Sequence, residues 1–276
     1  MKVLITGARG QLGHELVEVF DAHDVVATDR SSLDVADRDA VLDRVASLRP
    51  DAVVNAAAWT AVDECEGDPD RAFVVNALAV RWLAEACRGV GARLCQVSTD
   101  YVFDGTKDGP YDESDEPNPL SVYGRSKLAG EREAGDEALV VRTSWPFGLH
   151  GTNVVTTVLR LAAEHETLRF VDDQRGCPTA AEDLAAMIGR LVVEGRSGTF
   201  HVTNAGAVSR FELAREILLA AGLDPDRVEP ISSSKMPRPA PRPANSVLDN
   251  AALRRAGIEP LGDFRDPLRR LVASLT

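Results

Sequence analysis

Tyr123 and Lys127 stand four residues apart in the stretch Tyr123-Gly124-Arg125-Ser126-Lys127. On a helix that spacing puts both side chains on one face, about a turn from each other. An ammonium beside a phenol favours the phenolate and lowers its pKa, which makes a phenol that is nearly inert at neutral pH usable as a general acid or base. Alone, such a pair is a frequent accident of surface helices. Here it follows Gly7-Ala8-Arg9-Gly10-Gln11-Leu12-Gly13, a glycine loop placed after a strand ending at Thr6 and at the head of a helix. Glycines permit the tight turn and the close backbone approach to a pyrophosphate, and the helix start supplies oriented N–H donors. The combination points to hydride exchange with a bound dinucleotide, Tyr123 handling the proton.

Other positions fit that chemistry. Asp29 ends a second strand where an acid accepts hydrogen bonds from the adenosine ribose, which favours NADH. Arg9 and Arg30 could instead hold a 2′-phosphate, which favours NADPH. The two signals balance. Asp34 and Val35 follow in a polar turn, where Asp is ordinarily a cap and could also meet the adenine edge. Asn55-Ala56-Ala57-Ala58 with Trp59 and Thr60 follows a third strand, and small residues there let a flat ring lie against the backbone. Ser98-Thr99-Asp100 ends a fourth strand, at the carboxyl edge where open α/β sheets bind ligands. A turn is the plainer use of these three, but the Thr99 hydroxyl could also hold a carbonyl oxygen as charge develops on it. Trp145, after a fifth strand, is either core or a plate against a sugar or thymine ring.

These side chains need a frame, and the hydrophobic pattern supplies one. Lys2–Thr6, Val25–Thr28, Ala52–Asn55, Leu94–Ser98 and Leu139–Arg142 read as strands, several apolar throughout, as in a buried parallel sheet. Helical spacing occupies Gln11–Phe20, Arg38–Leu48, Arg71–Arg88 and Ser121–Ala134, with Asp68-Pro69 as a cap and first position for the third. Ala180–Val193 reads as a helix, Thr199–Val202 as a strand, and Ser209-x-x-Glu212 as a capping box opening Phe211–Ala221. Ile231–Asn245 carries four alternating prolines with Lys235, Arg238 and Arg242 and no acid, so it is an extended arm. Its cations are either solvated or presented to an anionic ligand. Short helices at Asn250–Ala256 and Asp266–Leu275 follow. The predicted fold is α/β: a Rossmann-like doubly wound parallel sheet with a smaller C-terminal substrate-binding lobe. Residues 1–147 and about 166–200 are assigned to the dinucleotide domain, and about 148–165 and 201–276 to the lobe.

The 276 residues carry a net charge of −12, which argues against a nucleic-acid partner and makes local arginine clusters informative. Only four residues are lysines, so Lys127 is not one of many. No apolar run is long enough for a transmembrane helix, and the N-terminus enters a strand at once, with no room for a signal peptide. Cys65, Cys87, Cys95 and Cys177 lack metal-ligand spacing and read as reduced thiols of a cytoplasmic protein. The five histidines form no ligand-spaced cluster.

Taken together, these motifs resemble the extended short-chain dehydrogenase/reductase superfamily and, within it, the dTDP-4-dehydrorhamnose reductase family. The matching stretches run from residue 3 to about 250. They include Ser-Thr-Asp-Tyr-Val-Phe-Asp-Gly from Ser98, Arg-Thr-Ser-Trp ending at Trp145, Asp-Gln-Arg-Gly-Cys-Pro-Thr from Asp173 and Arg-Pro-Ala-Asn-Ser-Val-Leu-Asp from Arg242. The resemblance implies an NADPH- or NADH-dependent reduction of the 4-keto group of a dTDP-deoxysugar. It makes Tyr123 the proton donor, Lys127 its partner and ribose anchor, and Thr99 the third catalytic residue. It places Gly10, Gln11 and Leu12 on the cofactor loop, Asp29, Asp34 and Val35 near adenosine, and Ala57–Thr60 beside the cofactor. Thr99, Asp100 and Trp145 fall at the sugar nucleotide, with Arg238 added from the basic arm. Pro146-Phe147 departs from the family's aliphatic–tyrosine pair, which leaves other deoxysugar ketoreductases open. A dehydratase would need an acid where Tyr101 stands, and a non-catalytic nucleotide-binding subunit would not need Thr99, Tyr123 and Lys127 together. Some members form homodimers through acids that bind Mg²⁺. Glu15 matches one such position, but the short C-terminus makes the other acids doubtful, so no metal is predicted.

Overall fold

The structure is a computed structural model that describes all of residues 1–276. Its centre is a six-stranded, wholly parallel sheet of β1 (Lys2–Thr6), β2 (Asp24–Thr28), β3 (Ala52–Asn55), β4 (Arg93–Thr99), β5 (Leu139–Thr143) and β6 (Gly198–His201), in the order β6-β5-β4-β3-β1-β2. The helices longer than two turns are α1 (Gln11–Val19), α2 (Arg38–Leu48), α3 (Ala79–Val90), α4 (Val122–Ala134), α5 (Val154–Glu164), α6 (Ala181–Val193), α7 (Arg210–Ala220) and α8 (Arg265–Leu275). None is long and apolar enough to cross a membrane.

Strand side chains alternate between faces, and the core divides accordingly. Val3, Ile5, Val54 and Val141 pack with Leu16 of α1 and Ile188 of α6 on one face. Leu4, Val53 and Val140 pack with Val45 of α2 and Leu83 of α3 on the other. A sheet covered on both sides is the reason its strands read as unbroken apolar runs. The strand order reverses between β3 and β2 around β1, and this switch point opens the crevice in which such folds bind ligands.

A second apolar core lies beyond the sheet's carboxyl edge. Phe147, Val155, Val158, Leu213, Phe264 and Val272 belong to it, drawn from α5, α7, α8, the strand Pro146–Phe147 and the cap of α8. The chain divides more finely than the sequence segments do. Leu168–Val171 pairs in parallel with Val228–Ile231 and sends Leu168 into this second core, whereas β6 completes the main sheet. The short helix Ala251–Arg255 returns Leu253 to the sheet's core.

Two local features depart from the sequence pattern. The stretch read as one helix over Arg71–Arg88 is a short helix Pro69–Phe73, a π-helical turn Val74–Leu78, and α3. The wider turn carries Asn76, whose side chain clasps Trp59 at both its N–H (2.8 Å) and its carbonyl (3.1 Å) and also donates to Ser126 Oγ of α4 (3.0 Å). α4 comes so close here that a Cβ on Gly130 would sit 2.1 Å from the Asn76 carbonyl oxygen. Helix α5 had no sequence counterpart. Its capping box pairs Asn153 with Thr156, not with the Glu or Gln that makes such boxes legible.

Candidate active site

The glycine loop is held by contacts that exclude side chains. Gly7 has φ +71°, and a Cβ there would lie 2.7 Å from the Ala57 nitrogen; one on Gly13 would lie 2.2 Å from the Gly7 carbonyl oxygen. This packing presents Gly10, Gln11, Leu12 and Gly13 to a cavity of about 480 Å³. Gly10 caps α1 without a side-chain acceptor, so the first-turn N–H groups of the helix keep their donor capacity for an anion.

The same cavity collects Ala58, Thr60, Thr99, Asp100, Tyr123, Lys127 and Trp145. Ser121 caps α4 through the Gly124 N–H, 3.1 Å away, and α4 carries Tyr123 and Lys127 under the end of β4. A Cβ on Gly124 would lie 2.2 Å from the Tyr101 carbonyl oxygen, so that glycine lets the helix reach the strand end. The Tyr123 and Tyr101 rings meet edge to face at 5.9 Å.

The electrostatics differ from the expectation that Lys127 lowers the Tyr123 pKa. Lys127 Nζ donates to the Val97 carbonyl (2.7 Å) rather than to the phenol. Burial pushes the phenol well above its ordinary value, and the Thr99 hydroxyl opposes this only in part. Tyr123 is therefore held protonated, as a proton donor must be. Burial also lowers Lys127 to about 8, against the pull of the Glu131 carboxylate one turn further along α4. Glu131 in turn accepts from Arg142 Nη2 (2.7 Å) and Nε (2.9 Å) and from Ser98 Oγ (2.5 Å). Behind Arg142 stands His201, fully buried, 3.4 Å from its guanidinium.

Asp100 is buried and accepts from Thr99 Oγ1 (2.9 Å) and Ser144 Oγ (2.8 Å). Burial raises its pKa, with its hydroxyl partners pulling the other way. Trp145 occupies left-handed backbone at φ 46°, unusual for a bulky residue. Gly176 makes room for its ring, since a Cβ there would lie 2.5 Å from Trp145 Cε2. The indole Nε1 and the Thr143 hydroxyl are buried without partners although both residues line the cavity, which suits a polar ligand.

Gly7, Arg9, Asp29 and Arg30 gather round an adjoining cavity of about 370 Å³. Asp29 is heavily engaged: it accepts from Ser31 Oγ (2.7 Å) and Ser32 Oγ (3.0 Å), and Arg9 Nε lies 2.6 Å away. The two serines, and then Arg9, bring its pKa down to about 2. Asp34 makes the turn, accepting from the Ala36 N–H and facing Arg30 at 3.4 Å. Val35, Ala57 and Trp59 line neither cavity; Val35 is buried, Ala57 backs Gly7, and Trp59 is clasped by Asn76 and covered by Arg71. No group of three or more His, Cys, Asp or Glu is placed to hold a metal ion, and Glu182 near Glu15 is paired with Arg270.

A third cavity, about 460 Å³, adjoins the first through Val62, Tyr101 and Arg210. Arg238 lines it, 3.8 Å from Asp63; Arg242 grips the same carboxylate at 2.7 and 2.9 Å, which fastens the proline-rich arm over the site. Arg210 is the functional candidate that the sequence pattern did not expose, because it reads as the first residue of an ordinary capped helix.

The family model described as RmlD substrate binding domain matches residues 1–276. A dTDP-4-dehydrorhamnose reductase of Streptomyces griseus is 45% identical over 276 residues, covering 96% of this chain and 91% of that protein. A dTDP-4-keto-6-deoxy-D-glucose reductase of Streptomyces niveus is 43% identical, covering 94% and 92%. The crystal structure of dTDP-4-dehydrorhamnose reductase from Bacillus anthracis in complex with NADP superposes with a TM-score of 0.95 at 38% identity, covering 99% of both chains.

Proposed function

This chain belongs to the RmlD substrate-binding-domain family, and on that premise we propose that it uses NADPH to reduce the 4-keto group of dTDP-4-dehydrorhamnose, giving dTDP-L-rhamnose. The observation that carries the reading is one cavity lined by a bare helix start, a buried Tyr–Lys pair and a strand-end threonine. The uncapped start of α1 suits the cofactor's pyrophosphate, and Lys127, with one hydrogen bond used on Val97, keeps donors for ribose hydroxyls.

When bound, the nicotinamide supplies the hydride to the ketone carbon. The residues of this chain manage the oxygen. Thr99 Oγ1 stands beside the phenol and, on turning its proton from Asp100 to the substrate, steadies the oxygen as charge develops on it. Tyr123, kept protonated by its burial, gives its proton to that oxygen, so hydride and proton together make the alcohol. Lys127, charged below about pH 8 and one helical turn from the phenol, serves to anchor the ribose and not to set the phenol's pKa.

The test is consumption of NADPH with dTDP-4-dehydrorhamnose, compared with dTDP-4-keto-6-deoxy-D-glucose because the Streptomyces niveus relative is named for that substrate. Tyr123→Phe is expected to lower kcat by about 10²-fold or more with the fold intact. Near-normal turnover in that variant would show that the proton comes from elsewhere.

A further inference from the structure

Arg210 sits where the first and third cavities meet, and its guanidinium carbon lies over the Trp145 ring, 3.3 Å from the centroid. We propose that it grips the diphosphate of the sugar nucleotide, with Trp145 as the plate that aims it; this rests on the sugar-nucleotide reading above.

Three observations lead there. The first is charge. The other arginines of the third cavity are committed: Arg169 to Glu229 (3.1 Å), and Arg238 and Arg242 to Asp63. Arg210 forms no ion pair. Its polar neighbours are the Tyr101 phenol and, further off, Asp100, whose oxygens already receive two hydroxyls. In a chain of net charge −12, an uncommitted cation half-buried in a cleft is an exception.

The second is geometry. Arg210 is the first residue of α7, and the reciprocal Ser209–Glu212 capping box fixes its backbone: Ser209 N to Glu212 Oε2 is 2.6 Å, and Glu212 N to Ser209 Oγ is 3.0 Å. Its guanidinium sits over the indole, and Gly176 leaves the ring the space it occupies. A stacked guanidinium keeps its N–H edge free in one plane, the arrangement that binds phosphate oxygens in pairs.

The third is connectivity. The catalytic candidates lie in one cavity, and the other offers an apolar floor of Val62, Leu161, Phe170 and Met236 that suits a base and deoxyribose. A sugar joined to a nucleoside through a diphosphate, spanning the two, must pass its anionic linker across their shared boundary. Arg210 is the cation at that boundary.

The experiment compares dTDP with thymidine by calorimetric titration, in the wild type and in Arg210→Gln and Arg210→Lys. The wild type is expected to prefer dTDP. Arg210→Gln should lose about ten- to hundredfold in dTDP affinity while its affinity for thymidine and NADPH stays unchanged. Arg210→Lys should recover part of the loss, since it restores the charge but not the planar pair of donors. In turnover, Arg210→Gln should raise KM for the sugar nucleotide more than it lowers kcat. Should Arg210→Gln fail to fold, the ratio of dTDP to thymidine affinity in Arg210→Lys decides the same question. Equal losses for dTDP and thymidine, or none, would overturn the role of Arg210 and leave the reductase reading standing. A wild type that binds neither dTDP nor its sugar conjugate would overturn both.

Discussion

His201 makes folding of this protein sensitive to mild acid, and the size of the effect follows from its surroundings. The ring is fully buried, its Nδ1 directed at the carbonyls of Tyr111 (3.1 Å) and Asp249 (3.2 Å), its Nε2 at the Arg142 guanidinium. The carbonyls need an N–H at Nδ1, so Nε2 carries the lone pair and accepts from Arg142. A second proton would set two cations against each other beside the Phe103 ring, with Asp112 attracting it from a distance and the Glu113 carboxylate held on the His201 backbone N–H. Burial first, and then Arg142, lowers the pKa from the ordinary 6.5 to about 3. The unfolded chain takes up a proton below pH 6.5 that the native protein refuses until about pH 3, so stability is greatest above 6.5 and falls with pH across that window. At about 1.4 kcal/mol per unit, the full span is worth ~5 kcal/mol, of which ~2 kcal/mol is lost by pH 5. For a chain of this size that is a fall in Tm of about 4–8 °C. Thermal melts at pH 7 and pH 5 of the wild type and of His201→Asn, which keeps a donor for the carbonyls, measure it. The variant starts lower but should lack this part of the acid dependence. If both proteins lose the same Tm between those pH values, the neutral, Arg142-facing histidine is the wrong description.

Three other outcomes are expected. Glu131→Gln leaves Arg142 buried with no carboxylate, which should cost about 3–5 kcal/mol in denaturant unfolding; adding Arg142→Met should restore much of it, and no recovery would place the loss elsewhere. Lys127, lowered to about 8 by burial, should give kcat/KM an alkaline limb near pH 8, and a profile flat to well above that pH would remove Lys127 from the mechanism. Gly176→Ala must displace the Trp145 ring, so KM for the sugar nucleotide should rise about tenfold or more while NADPH affinity, measured by fluorescence titration, holds.

What could be read from the chain alone follows from how locally each feature is determined. β1 and β3 have the expected bounds and the other strands of the sheet differ by one or two residues, because burial on both faces leaves an apolar run with few other uses. The Ser209–Glu212 box and the Asp68 cap are likewise written in neighbouring residues. α5 was hidden because its cap uses Asn153 with Thr156, and the π-helical turn because its contacts, with Trp59, Ser126 and Gly130, lie far along the chain. In the site, the spacing of Tyr123 and Lys127 placed both in one cavity but said nothing of their surroundings. Burial, not the neighbouring ammonium, governs the phenol, and burial is a property of the folded whole. Arg210 escaped notice for the same reason: only the fold shows that its ion-pair partners are missing.

The order in which the chain leaves the ribosome gains meaning from the position of β6. The strands β1 to β5 are synthesised in succession, yet the outer edge of β5 has no neighbour until Gly198–His201 emerges, after α5 and α6. Through that interval a nascent chain carries an open row of backbone donors and acceptors, the kind of edge on which chains aggregate. The second core waits longer still, because Phe264, Leu268 and Val272 come from the last helix and its cap. The glycine loop and the Tyr–Lys helix can thus be in place while the wall that would shield a sugar is still inside the ribosome. Protein lacking α8 should hold nucleotide yet aggregate on warming, because its second core is left without one wall.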